Sequence, residues 1–173
     1  TMRILKAINA HPRRTIRMAL WGGEEQGLHG SRRYVEKYLA GDANKAARDK
    51  LSVYFNLDPG TGPIYGWYME NNAGAKTIFD AWLEPFRDVG ARRNIIAGIG
   101  NTDHLSFTRA GMAAFNPVQD YVDYDVRTHH TNMDMYERVR PADLRQCAMV
   151  LASFAWHAAT RAQRIPVAGG NGQ

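Results

Sequence analysis

Three kinds of side chain in this sequence could share one cation. Glu24 and Glu25 stand side by side after Gly22-Gly23, Asp58 follows the apolar run Phe55-Asn56-Leu57, and His129 and His130 stand together in Thr128-His129-His130-Thr131-Asn132-Met133-Asp134. Carboxylate oxygens and imidazole nitrogens are hard-to-borderline donors of the sort that zinc accepts. Of two adjacent glutamates, one can bind an ion while the other stays free to move a proton, the division of labour that general-base hydrolysis requires. Asp134 follows His130 closely enough to orient an imidazole. Each signal has a plainer reading. A Glu-Glu pair also occurs in exposed loops, an Asp before Pro59-Gly60 forms turns, and paired histidines also sit on polar surface. What raises them above that level is their order and their setting.

The setting is a succession of strand-like and helix-like segments. Met2 to Ile8 reads as the last turns of an amphipathic helix, broken by His11-Pro12. Thr15 to Trp21 is apolar, partly alternating and bounded by Gly22-Gly23, which predicts a strand. A helix is expected from about Ser31 to Leu39, stopped by Gly41-Asp42. A strand follows over Leu51 to Leu57, closed by Asp58-Pro59-Gly60. Ile64 to Met69 is a short aromatic strand, and residues 73–86 carry an apolar face at helical spacing. Thr102 is expected to cap a short helical turn from Asp103 to Arg109, Ala113-Ala114-Phe115 to begin a strand, and Pro141 to open a final helix at its first position. The apolar face of that helix is read as Leu144, Cys147, Ala148, Leu151, Ala152, Ala155 and Ala158. Alternating strands and helices predict an α/β sandwich whose central sheet is mostly parallel, with helices on both faces. Ligands collect beyond the carboxyl ends of such strands, where Glu24-Glu25, Asp58 and His129-His130 are expected to lie.

Composition narrows the function classes. The formal charge of +5 and the pI near 9.5 would suit a nucleic-acid partner. The basic pairs Arg13-Arg14, Arg32-Arg33 and Arg92-Arg93 are scattered, however, with no Lys/Arg run interleaved with aromatics. The excess reads as solvated surface and no nucleic-acid partner is expected. No run reaches the roughly 18 apolar residues of a membrane span. Cys147 is the lone cysteine, which excludes an internal disulfide and reads as a buried, inert thiol. Residues 1–165 read as one domain and 166–173 as a flexible tail.

The run Leu20-Trp21-Gly22-Gly23-Glu24-Glu25-Gln26-Gly27-Leu28-His29-Gly30-Ser31 closely resembles the strand-to-Glu-Glu block of the M28 family of zinc metallopeptidases, which includes aminopeptidases and carboxypeptidase Q-like enzymes. Asn56-Leu57-Asp58 resembles that family's aspartate-ligand strand. Thr102-Asp103-His104-Leu105-Ser106-Phe107 with Ala110-Gly111 resembles its Ser/Thr-Asp-His block, and His130-Thr131 with Asp134 its His-Thr-x-x-Asp segment. Four blocks in order cover the chain from residue 15 to about 160.

The resemblance implies a phosphorylase/hydrolase-like three-layer sandwich and a zinc exopeptidase acting on terminal peptide bonds of peptides or dipeptides. It makes Glu24 the general base that takes a proton from the attacking water, Glu25 and His130 ligands of one zinc, and Asp58 a ligand of a second. His129 becomes an oxyanion or substrate contact, and Asp103, His104 and Asp134 become supporting residues around the site. Arg127, in the Asp123-to-Arg127 loop, is a candidate partner for a substrate carboxylate; a solvated charged loop is an equal reading. The family places a further histidine and a metal-bridging aspartate ahead of the Glu-Glu block. The residues preceding Thr15 offer His11 and no aspartate. The chain is therefore expected to be incomplete at its N-terminal side and inactive in isolation, with a catalytically inactive scaffold or interaction module as the alternative. A secreted or periplasmic setting and a homodimer are compatible with the resemblance.

Overall fold

A computed structural model describes residues 1–121 and 123–169. It is built of six α-helices, α1 (Met2–Ala7), α2 (His29–Tyr38), α3 (Lys45–Arg48), α4 (Ala73–Leu83), α5 (His104–Thr108) and α6 (Pro141–Thr160), and three strands, β1 (Tyr54–Phe55), β2 (Gly66–Tyr68) and β3 (Ala114–Val118). Of the expected flexible tail, residues 170–173 lie outside the described residues.

The strands form one sheet in the order β1-β3-β2. β1 runs parallel to β3, with Tyr54 opposite Ala114 and Phe55 opposite Phe115. β2 runs antiparallel to β3, with Trp67 opposite Pro117. The sheet is thus mixed, not mostly parallel as the alternation of elements predicts. Periodicity reports that a segment is extended and half-buried; it carries no information on the direction of the neighbour.

Side-chain alternation along the strands sorts the helices. Phe55, Phe115 and Trp67 enter a core with Phe79 and Leu83 of α4 and Cys147, Val150 and Phe154 of α6. Phe79 and Phe154 meet at 5.2 Å with their rings near perpendicular, and Trp67 lies 5.0 Å from Phe154. Tyr54 and Ala114 face a second core with Val35 and Leu39 at the α2 side and Phe107 of α5. Tyr54 stacks on Phe107 at 4.2 Å. Cys147 is buried and free, as its apolar surroundings predict. On α6 the buried stripe is Cys147, Val150, Phe154 and Ala158, while Leu144, expected inside, is 56% exposed. The apolar positions of α6 wrap most of the way round the helix, so the sequence does not single out one face.

Three further expectations fail locally. Thr15 to Trp21 forms no strand and makes no ladder hydrogen bond among the described residues. Met18 and Leu20 are 70% and 87% exposed there. Arg14, just before it, closes the end of α6 by donating from Nη1 to Ala158 O and from Nη2 to Ala162 O, a favourable place for a cation. Thr102 does not cap α5; the position before that helix is Asp103, without a side-chain cap bond, and the Thr102 hydroxyl is taken up elsewhere. The Asp123-to-Arg127 segment is not an open loop but leads into a π-helical turn over Tyr124–Thr128. Among the described residues, no helix is long and apolar enough to cross a membrane.

Candidate metal centre

The loop that carries the two glutamates is folded onto the start of α2. Gly22 O accepts from Gly30 N at 2.9 Å, Gly23 O accepts from His29 N at 3.0 Å, and Glu24 O accepts from both Gly27 N and Leu28 N. The approach is close enough that a Cβ on Gly30 would stand 2.7 Å from Gly22 O and 2.9 Å from Gly22 N, which explains a glycine inside the helix. This packing leaves Glu24 half-buried and Glu25 exposed.

The histidine pair arrives from the other end of the chain. Thr128 is buried at the end of the π-helical turn and fixes its exit. His129 stacks on Tyr124 at 4.6 Å, and His130 lies 4.1 Å from His129. His130 adopts φ +55°, a left-handed conformation that non-glycine residues take mainly where surroundings impose it. There His130 Nε2 stands 2.7 Å from Glu25 Oε2.

Electrostatics place Asp58 and Asp103 at the same rim. Burial pushes the Glu24 carboxyl up to about 6; Asp58, Glu25 and Asp103 add to that rise, and His130 opposes it. Asp103 is buried and its carboxyl is also raised, by burial first, with the Ser31 hydroxyl and His104 pulling down and Asp58 pushing up. Tyr124 is raised to about 12 by burial and then by Asp58, Glu25, Asp125 and Glu24, so this ring borders the same acidic rim. Like charges held this close disfavour one another's ionisation, and a cation would relieve them.

The fit to zinc is partial. Glu25 and His130 offer one oxygen and one nitrogen, donors that zinc accepts. Among the described residues, no three His, Cys, Asp or Glu side chains converge tightly enough to hold an ion. A tetrahedral centre needs at least three protein ligands, so the pair is half of a site.

The remaining candidates lie in varied positions. Arg127 is exposed, with Nη1 3.2 Å from Asp123 Oδ1, so it is engaged within its own turn. Asp134 is exposed, and its backbone N–H donates to Thr131 O at 3.3 Å. His104 is fully buried. Its Nε2 comes within 3.0 Å of Glu70 Oε1 without hydrogen-bond alignment, and its Nδ1 has no partner. Glu70, which no motif indicates, sits at φ +49° beside Asn71 at φ +57°. Asn56, which enters the sequence reading only as the first residue of the Asn56-Leu57-Asp58 motif, carries a signal of its own, since it is a buried amide inside an apolar run and must find partners.

Comparison with known proteins adds a family. Residues 1–155 match the model of peptidase family M28. Bovine (Bos taurus) carboxypeptidase Q is 24% identical over 163 residues, 94% of this chain and 33% of that protein. The chain thus spans about a third of the length of the curated relatives it matches. Among solved structures, a peptidase M28 precursor from Shewanella amazonensis superposes with a TM-score of 0.73 at 28% identity, covering 90% of this chain and 34% of that one. A zinc aminopeptidase from Bacillus subtilis, at 23% identity, shares the fold with a TM-score of 0.58 over 82% of this chain and 35% of its own.

Proposed function

The chain belongs to peptidase family M28, and from that premise we propose that it forms the Glu-Glu and His half of a zinc exopeptidase centre that cleaves terminal residues from peptides or dipeptides. The observation that carries this reading is the 2.7 Å contact between Glu25 and His130, with the half-buried Glu24 adjacent to it. Glu25 and His130 would hold one zinc, and Asp58 would contribute to a second. Bound zinc supplies a Lewis acid that polarises the scissile carbonyl and acidifies water.

The chain's own residues do the rest. Glu24 carries no ligand duty, and its carboxyl lies near 6, so at neutral pH it is ionised and basic enough to take a proton from the attacking water and return it to the leaving amine. His129, held against Tyr124 by stacking, would contact the substrate carbonyl. Asp103, buried beside the rim, would support it. A centre of this kind needs at least one further ligand, and the chain spans about a third of the length of its curated relatives; the family's further histidine and bridging aspartate would come from a longer form of the protein.

A second reading, an inactive scaffold, draws on the observation that no three ligands converge among the described residues. Expression of the chain together with its upstream coding region separates the two. Zinc-dependent release of amino acids from dipeptides, abolished by a chelator and by Glu24→Gln with zinc retained, is the expected result. Absence of chelator-sensitive hydrolysis from that longer form would overturn the peptidase reading in favour of the scaffold.

A further inference from the structure

The three segments that carry acid to the rim are joined by one chain of hydrogen bonds, half-buried at Trp21 and Tyr54 and buried at Asn56 and Asn116. Trp21 Nε1 donates to the Tyr54 hydroxyl at 3.0 Å, and that hydroxyl donates to Asn56 Oδ1 at 2.7 Å. Asn56 Nδ2 then donates to Thr102 Oγ1 at 2.6 Å and to Asn116 Oδ1 at 3.0 Å. Asn116 Nδ2 ends the chain on Pro117 O at 2.9 Å. Trp21 immediately precedes the loop of Glu24 and Glu25, Asn56 lies just ahead of Asp58, and Thr102 adjoins Asp103. Asn116 belongs to the central strand β3.

We propose that Tyr54 and Asn56 are positioning residues, a relay that clamps the Glu24–Glu25, Asp58 and Asp103 loops against β3 and so sets the spacing of the metal rim. The part of this that concerns metal rests on the zinc-peptidase reading; the clamp itself does not. Both amide hydrogens of Asn56 and its oxygen are used, so no other side chain of that size satisfies all three neighbours. From Asn56 to Asn116 the relay is buried, where an unmade bond is costly and a satisfied network fixes one arrangement. Four carboxylates at one rim repel each other, and the loops that bear them have little apolar surface of their own to hold them in place. Ser31 Oγ, 2.8 Å from Ser106 Oγ, fastens α2 to α5 on the same side and acts in parallel.

The test compares Tyr54→Phe, Thr102→Val and Thr102→Ser in the 173-residue chain. Tyr54→Phe keeps the ring on Phe107 and removes the hydroxyl that joins Trp21 to Asn56; Thr102→Ser retains the acceptor. Amide hydrogen exchange is followed in residues 22–28, 57–61 and 101–104 and, as a reference, in α6, and zinc affinity is read by competition with a chromophoric chelator. Tyr54→Phe and Thr102→Val should exchange at least tenfold faster in the three loops with α6 unchanged, and should bind zinc about tenfold more weakly, whereas Thr102→Ser behaves as the parent. Unchanged loops, or acceleration spread equally over α6, would overturn the relay. A parent chain that binds no zinc while the loops still loosen selectively would sink the metal reading and leave the clamp standing.

Discussion

Glu25 and His130 meet at 2.7 Å although they come from opposite ends of the chain. Holding them together takes a loop pinned on α2, a π-helical turn before His129, and a left-handed residue at His130 itself. Such backbone conformations cost about 1–3 kcal/mol and persist where the surroundings over-determine them. His130→Ala should therefore leave the fold intact and weaken zinc binding at least tenfold, about 1.4 kcal/mol. His130→Asn, which tolerates the left-handed region, separates loss of the imidazole from backbone relief. Equal zinc affinity in parent and His130→Ala, measured by chelator competition, would remove His130 from the ligand set.

Zinc should in turn stabilise the chain. A ligand that binds only the folded state adds about 2.7 kcal/mol at a hundredfold excess over its dissociation constant. The unfolding midpoint should rise with zinc and return with a chelator, and His130→Ala should lose that response. A zinc-induced rise that survives His130→Ala would locate the ion elsewhere.

Glu24 gives the folded state a pH dependence of definite sign. Its carboxyl titrates near 6 in the folded chain against an ordinary 4.5. Between these values the folded chain holds more protons than the unfolded one, so this contribution to stability is complete below pH 4.5 and is lost as pH rises through 6. Glu24→Gln removes the penalty. The melting temperature of the parent minus that of the variant should fall between pH 4.5 and 6 and level off above. A flat difference across that range would show that Glu24 is not held among the other carboxylates.

Gly30→Ala tests the pinning of the loop. The new methyl would meet backbone atoms of Gly22 at 2.7 and 2.9 Å, which cannot rotate out of its way. Overpacking of this sort costs about 1–3 kcal/mol, and it should displace Glu24 and Glu25 along with Gly22. Urea unfolding reads the first effect and zinc affinity the second. Gly41→Ala, at φ +75° with open space around it, is the control for strain without displacement.

Much of this was legible in residue order and little of it in residue type. Gly41 marks the limit of α2 only approximately, since that helix ends at Tyr38 with Leu39 as its cap, whereas Pro141 opens α6 with a fixed φ. The pairing of Glu25 with His130 was anticipated by the succession of motifs, whereas neither residue alone rises above ordinary surface. Thr15 to Trp21 misled because alternation records a face made for burial, and only a neighbour turns such a segment into a strand. The direction of β2 and the partnership of Glu70 with His104 depend on tertiary placement that no local pattern encodes. The motif names Asn56, but its bonding role is legible from another signal: an amide inside an apolar run has to be satisfied by something.

The unpaired segment before Gly22 has a consequence for handling the molecule. Among the described residues the backbone from Thr15 to Trp21 makes no backbone hydrogen bond, and beside the exposed Met18 and Leu20 it offers donors and acceptors on which another chain can be laid. Preparations of these 173 residues alone should therefore self-associate as concentration rises, by strand addition at that border. Met18→Lys, a charge on the open flank, should keep them dispersed in light scattering, a practical route to the dilute-free conditions that exchange and metal titrations need.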